Sequence, residues 1–264
     1  MAENTSRATA AVSDGPSAPS PYHLAVVVPV YNEEDNVAPL IGEIESALNG
    51  VCAFQIVYVD DGSADGTART LSEQARRLDN LTVMRHRACC GQSAAVATGV
   101  AAAQATIIAT LDGDGQNDPN DIPNLLKVLE SDDAPDTLLV AGWRAKRKDT
   151  WSKRMQSKIA NAVRARLLKD DTPDTGCGLK VFTRTAFLDM PRFDHMHRFL
   201  PALMIRRGGR VRSIEVNHRP RERGQSKYGL WGRLKVGIID IFGVNWLIRR
   251  GSRPVIEKIE GPRP

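Results

Sequence analysis

The sequence predicts an α/β domain, built on a mostly parallel sheet with helices on both faces. Three observations lead there. Five apolar runs rich in Val, Ile and Leu alternate with stretches of helical character over the first 141 residues. Strands buried on both faces read as such runs, and strand–helix alternation is the signature of a parallel sheet. Polar or acidic clusters follow three of these runs directly, at the strand ends where open α/β sheets bind ligands. The length of 264 residues suffices for one sizeable domain with a tail or small appendage.

Residues 1–22 are rich in Ala, Ser, Thr, Pro and Asp and are expected to form a disordered tail. They lack a charged-then-apolar signal pattern, so export is not expected. Leu24 to Val30 is the first strand, and Asn32-Glu33-Glu34 opens a helix to about Leu48. Phe54 to Val59 is the second strand, ending at Asp60-Asp61-Gly62-Ser63; Asp65 then caps a helix to about Leu78. Leu81 to Met84 is the third strand, Gly91 to Ala103 an Ala-rich helix, and Ala105 to Leu111 the fourth strand. A helix over Pro119 to Leu129 and a fifth strand over Leu138 to Ala141 complete the alternation.

Beyond residue 141 the pattern changes. Lys153 to Lys169 predicts an amphipathic helix, with Met155, Ile159, Val163 and Leu167 near one face and Lys158, Arg164 and Arg166 elsewhere. The loop Asp174 to Leu179 leads into a short strand, Lys180 to Phe182. A helix over Arg198 to Ile205 and a strand over Val211 to Val216 follow. His218 to Gly229 is basic, contains Gly, has no apolar periodicity and is expected to be a mobile loop.

The last apolar stretch, Val236 to Ile248, contains Asp240 and Asn245 and is too short to span a bilayer, which takes about 20 apolar residues. Leu230, Leu234, Ile238, Ile241, Val244 and Ile248 keep helical spacing between Arg233, Lys235 and Arg249, Arg250 and Arg253, with Trp231 and Trp246 as aromatic anchors. A helix lying in the membrane surface fits this pattern. So does a core-packing helix with solvated basic ends.

Charge divides the chain. Residues 1–140 hold 7 Lys/Arg against 20 Asp/Glu, whereas residues 141–264 hold 29 against 11. The first half suits a metal site and the second suits anionic partners. Nucleic acid is disfavoured because no aromatic-rich stacking platform accompanies the basic residues. Cys52, Cys89, Cys90 and Cys177 show no paired metal-ligand spacing, and a chain this size needs no disulfide framework, so reduced thiols are expected.

The most informative stretch is Asp112-Gly-Asp114-Gly-Gln116, directly after the fourth strand. Two carboxylates and an amide oxygen at alternate positions offer the hard donors that Mg²⁺ or Mn²⁺ prefers beside substrate phosphates. An Asp/Gly turn closing a strand is the competing reading. The companion clusters at Tyr31-Asn32-Glu33 and Asp60-Asp61, after strands one and two, favour the seat for a metal–diphosphate complex. No Gly-x-Gly-x-x-Gly follows the first strand, which sets dinucleotide binding aside.

Val-Val-Val-Pro29-Val-Tyr31-Asn32-Glu33-Glu34, Asp60-Asp61-Gly-Ser63-x-Asp65 and Asp112-x-Asp114-x-Gln116, in this order, resemble the family-2 glycosyltransferases of the GT-A fold. The resemblance covers about residues 24–229. Gly142-Trp-Arg144-x-x-Arg147-x-Asp149, Ser157-Lys158, Arg198-Phe-Leu-Pro and His218-Arg219-Pro220-Arg221-x-x-Gly224-x-Ser226-Lys227-Tyr228 resemble its dolichol- and polyprenyl-phosphate branch. Many bacterial members carry two C-terminal transmembrane helices; this sequence shows none and is similar to the short forms that attach peripherally. The tail Phe242 to Arg250 is similar to short bacterial forms that load uronic acids.

The resemblance implies a nucleotide-diphosphate sugar donor, a polyprenyl phosphate acceptor, an Mg²⁺ or Mn²⁺ cofactor and inversion at the anomeric carbon. It also implies work at the cytoplasmic face of the inner membrane; the oligomeric state stays open. Asp114 and Gln116 are the first-choice metal ligands, with Asp112 coordinating, holding the donor or orienting the loop. Pro29, Tyr31 and Glu33 are expected around the nucleoside, Asp60 at the base edge, and Asp61 either in support or as a turn cap. Arg144, Arg221 and Lys227 are the cations expected to close over the diphosphate. Ser157 and Lys158 are candidates for the acceptor phosphate. Residues 23–229 would form the catalytic domain and 230–264 a membrane-interface helix and tail. Two other readings remain: a family-2 enzyme using a saccharide acceptor, with Asp118 or Asp121 as base, and a non-catalytic nucleotide-sugar-binding module.

Overall fold

The computed structural model describes residues 20–145, 164–220 and 230–251. Strand β1 (Leu24–Val30) lies inside the sheet, and every residue of it but Pro29 is buried. β2 (Phe54–Asp60) pairs parallel on one side of it, followed by β3 (Leu81–Arg85). β4 (Ile107–Thr110) pairs parallel on the other side. The β1–β4 ladder stops at Val27↔Thr110, two residues before Pro29, which has no N–H to continue it. β5 (Thr137–Trp143), β6 (Lys180–Thr183) and β7 (Arg210–Glu215) complete a seven-stranded sheet of order β3-β2-β1-β4-β6-β5-β7. β6 runs antiparallel to both β4 and β5. The sheet is therefore mixed but mostly parallel, as the alternation predicts.

Helices α1 (Glu34–Leu48), α2 (Thr67–Ala75), α3 (Gln92–Ala102) and α4 (Ile122–Leu129) are the expected crossovers. One core packs α1 and α4 on the sheet through Val37, Ile41, Ile44, Leu125 and Leu126. A second core covers the opposite face with Val96 and Val100 of α3 and with Leu200 and Leu203. Tyr22 already packs against this second core.

The part of α5 that is described, residues 164–168, is helical. Sequence spacing puts Arg164 off the apolar face of that helix, yet it is only 6% exposed. It pairs with buried Asp170 and donates to Thr172 O and Thr175 Oγ1, so its charge braces the loop that follows. A short helix α6 (Arg184–Leu188) follows β6 without an apolar pattern of its own that would announce it. The helix α7 (Leu200–Arg207) starts two residues later than its sequence signal, because Met196–Arg198 form a 3₁₀ turn first.

α8 (Leu230–Arg249) is continuous over 20 residues. Val244 is buried, and Ile241 and Ile248 pack with it against the second core. Ile241, Val244 and Ile248, the described part of the face marked by sequence spacing, thus meet the domain. Ile239, Phe242 and Trp246, at i, i+3 and i+7, stand on the other side at 62%, 62% and 60% exposure. Among the described residues no helix is long and apolar enough to cross a membrane.

Candidate active site

The three polar clusters converge because β2, β1 and β4 are adjacent parallel strands whose carboxyl ends point the same way. Asn32 joins two of them. In a left-handed conformation (φ 54°), its backbone N–H donates to Ser63 Oγ (2.8 Å) and its Oδ1 accepts from Ala64 N–H (2.8 Å). Glu33 N donates to Thr67 Oγ1, and the Glu33 carboxylate accepts from Asn36 (2.7 Å). Tyr31 is 37% exposed beside them.

Asp60 is buried, accepts Ser63 N–H (2.9 Å) and lies 3.0 Å from Arg85 Nε. Asp61 accepts from the backbone N–H groups of Cys90 (2.9 Å) and Gly91 (2.8 Å), from Cys89 Sγ and from His86 Nδ1. Burial raises its pKa, but these hydrogen bonds outweigh burial and hold the carboxyl below its usual value. Both aspartates brace turns from within.

A cavity of about 400 Å³ opens beside the third cluster. Pro29, Gln92, Asp112, Arg144, Lys180 and Arg198 contribute to its walls. Asp112 is half-buried; its Oδ1 accepts from Gln92 Nε2 (2.8 Å) and its backbone N–H donates to Asn117 Oδ1 (3.0 Å). Burial and the neighbouring Asp114 carboxylate raise its pKa against the opposing charges of Lys180 and Arg144. Asp114 accepts from Gln116 N–H, and Gln116 Nε2 donates to Arg219 O. Gly115 supplies the left-handed turn (φ 71°) between them. Gly178 is required for a different reason: a Cβ there would stand 2.2 Å from Asp112 Oδ2.

A divalent cation fits this donor set. Asp112 and Asp114 bring two mutually repelling carboxylates, hard oxygen donors, to the edge of a cavity of ligand size, and the backbone N–H of Gln116 ties that residue to Asp114.

β6 adds what the sequence motifs do not announce. Inserted antiparallel next to β4, it carries Lys180 into the cavity wall at 3% exposure, with its Nζ bonded to Cys177 O. Burial lowers the Lys180 pKa in spite of nearby carboxylates. Cys177 is fully buried, and burial raises its thiol pKa, so it is an inert structural thiol. Arg144 reaches the same wall, held by Asp174 through Nε (2.6 Å) and Nη2 (2.9 Å). His197 also lines the cavity and shares a 2.7 Å hydrogen bond with Ser93 Oγ; burial, then the cations Lys180 and Arg198, push it down to about 3. Arg198 opens the Arg198-Phe-Leu-Pro motif, whereas Gln92, Lys180 and His197 each sit in ordinary sequence surroundings. Only the strand order reveals them.

Arg219 opens the basic segment and fastens it to the Asp112–Asp118 loop: its guanidinium meets Glu43 (2.6 Å) and Asp118 (2.8 Å), and its N–H donates to Gln116 O. Asp121 in turn accepts Asn217 N–H at 2.7 Å. Ser157, Lys158, Arg221 and Lys227 lie outside the described residues.

The fold is an open α/β sheet whose polar clusters gather at the carboxyl ends of its strands, where such sheets bind ligands. A family profile for glycosyl transferase family 2 matches residues 25–190, and the chain belongs to that family. It is 34% identical over 236 residues to the dodecaprenyl-phosphate galacturonate synthase of Rhizobium johnstonii, covering 88% of this chain and 69% of that one. It is 33% identical over 210 residues to the undecaprenyl-phosphate 4-deoxy-4-formamido-L-arabinose transferase of Edwardsiella ictaluri, covering 78% and 63%. Among solved structures, glucosyl-3-phosphoglycerate synthase from Mycobacterium tuberculosis, in complex with Mn²⁺, UDP and glucosyl-3-phosphoglycerate, shares the fold. Its TM-score is 0.61 at 15% identity, covering 88% of this chain and 81% of that one. The chain is a family-2 glycosyltransferase, and both relatives are named for a polyprenyl phosphate.

Proposed function

We propose that this enzyme moves a sugar, by inversion, from a nucleotide-diphosphate sugar to polyprenyl phosphate, and that the sugar is a hexuronate carried on UDP. The observation that carries the reading is the cavity at the Asp112 loop, ringed by Arg144, Lys180 and Arg198. These cations suit a diphosphate and a sugar carboxylate together. The name of the Rhizobium relative supports the uronate.

The donor's anomeric C–O bond breaks and its electron pair leaves on the nucleoside diphosphate. An acceptor phosphate oxygen forms the new bond from the opposite face. That oxygen is already anionic near neutral pH, so no general base is required. Asp118 and Asp121, the bases a saccharide acceptor would call for, are engaged with Arg219 and Asn217. This favours the lipid phosphate over that reading.

Asp112, Asp114 and Gln116 would hold Mg²⁺ or Mn²⁺, which when bound supplies Lewis-acid stabilisation of the leaving diphosphate. Lys180 and Arg144 offset the charge that develops there, and Gln92 orients Asp112. His197, kept neutral by burial, can hydrogen-bond a sugar hydroxyl without adding charge. Pro29, Tyr31, Glu33, Asp60 and Asp61 form the nucleoside end. Arg221 and Lys227 close over the diphosphate, while Ser157 and Lys158 grip the acceptor phosphate. Residues 23–229 serve as the catalytic domain. The exposed Ile239, Phe242 and Trp246 face of α8 meets the bilayer from the cytoplasmic side, with Arg249 and Arg250 near the headgroups.

The test incubates full-length protein with labelled UDP-hexuronate or GDP-mannose, Mg²⁺ or Mn²⁺, and polyprenyl phosphate in detergent. Label entering the organic phase from UDP-hexuronate is expected. Label confined to water-soluble saccharide acceptors would reverse the assignment, and organic-phase label from GDP-mannose alone would remove the uronate.

A further inference from the structure

A second cluster of ligating atoms lies apart from the Asp112 loop, under the turn after β2. His86 Nδ1 is 2.6 Å from Asp61 Oδ1, and these atoms and Cys90 Sγ all lie within 4.8 Å of one another. The thiol of Cys89 approaches the other Asp61 oxygen at 3.2 Å. The Asp61 carboxylate, the His86 imidazole and the Cys90 thiol form a three-ligand cluster, with the Cys89 thiol close by as a fourth donor of the kind that binds Zn²⁺. It is softer than the all-oxygen set at Asp112, Asp114 and Gln116, so the two would select different cations.

We propose that Asp61, His86, Cys89 and Cys90 form a second metal site, selective for Zn²⁺ or a similarly thiophilic divalent ion.

Three features support it. The imidazole is oriented through its far nitrogen, since Nε2 contacts Thr98 Oγ1 at 2.9 Å, the outer-sphere arrangement typical of metal-bound histidines. The cluster is also reachable: Asp61 and His86 side chains are 5% and 15% exposed, while both cysteines are exposed at the surface. Finally, the adjustment required is small. A tetrahedral zinc holds its ligand atoms roughly 3.3–3.8 Å apart. The Asp61–His86 pair must open by about an ångström to reach that spacing, and the Cys90 thiol must turn from Ala88 O.

The location gives occupancy a consequence. Asp61 holds the Cys90 and Gly91 amides, and the next residue, Gln92, donates to Asp112. A bound zinc would therefore stand at the joint between the nucleoside turn and the carboxylate loop.

Full-length protein with its thiols reduced is titrated with Zn²⁺ in excess Mg²⁺, and in parallel with Co²⁺ as a spectroscopic stand-in. One Zn²⁺ per chain should bind, Co²⁺ should give thiolate charge-transfer bands, and Zn²⁺ should protect Cys89 and Cys90 from alkylation. Cys89→Ser and Cys90→Ser should each weaken Zn²⁺ binding at least tenfold, with circular dichroism unchanged. Zn²⁺ binding of equal strength in both variants, cobalt spectra without thiolate bands, or alkylation indifferent to Zn²⁺ would each overturn the proposal. None of these readouts depends on catalysis, so their outcome is separate from that of the transfer assay.

Discussion

The two halves of the sheet perform different work with opposite charge. On the β1–β2–β4 side, parallel strands end in acidic turns tied to one another by short hydrogen bonds, such as Asn32 to Ser63 and Ala64. On the β6–β5 side the cations Lys180 and Arg144 line the wall that faces Asp112. An acidic loop suited to a cation thus stands opposite fixed positive groups suited to an anion. The antiparallel entry of β6 beside β4 makes them neighbours. The comparison teaches that the signature residues supply half of the site and the strand order supplies the other half.

Removing the acidic half should have the largest effect. Asp114→Ala is expected to cut turnover by about 1000-fold or more, the scale of losing a Lewis acid worth several kcal/mol, with the fold intact by circular dichroism. Rates near wild type would break the division of labour. Gly178→Ala probes the contact between the halves. Its Cβ would stand 2.2 Å from Asp112 Oδ2, so the loop must shift; the expected cost is about 1–3 kcal/mol of stability and roughly 100-fold in rate. An unchanged rate in that variant would show that Asp112 need not sit where Gly178 lets it.

Lys158→Ala should raise the acceptor KM about tenfold and leave the donor KM near its wild-type value, as for loss of one charge-assisted contact to phosphate. A larger change in the donor KM would move Lys158 to the donor side. The smallest effect is on stability. His197 ionises near 6.5 in an unfolded chain and at about 3 when folded, so the unfolded state binds the extra proton between those values. Its contribution is present above pH 6.5 and is lost as pH falls toward 3. Denaturant titrations of His197→Gln should therefore lose less stability than wild type over that window, and parallel curves would remove the histidine from the account.

Much of this was legible in the sequence. β1, β2 and β4 announce themselves because strands buried on both faces are uniformly apolar, and Asp112, Asp114 and Gln116 stand out by alternate spacing. Lys180 could not be read this way, since a lysine at the start of a short strand looks solvated until β6 is known to insert beside β4. Arg164 was hidden for a similar reason: its partner Asp170 lies beyond the helix end, outside any helical periodicity. α8 shows the limit of periodicity most clearly. With apolar residues on both sides, spacing marks a face but not which face meets the domain; packing selects Ile241, Val244 and Ile248 and leaves Ile239, Phe242 and Trp246 outside.

The most direct test strips full-length enzyme with a chelator and follows transfer from UDP-hexuronate to polyprenyl phosphate as Mg²⁺ or Mn²⁺ is returned. The account predicts near-complete loss of transfer and recovery that saturates with added cation in wild type but not in Asp114→Ala. Transfer at full rate in the stripped enzyme would contradict it.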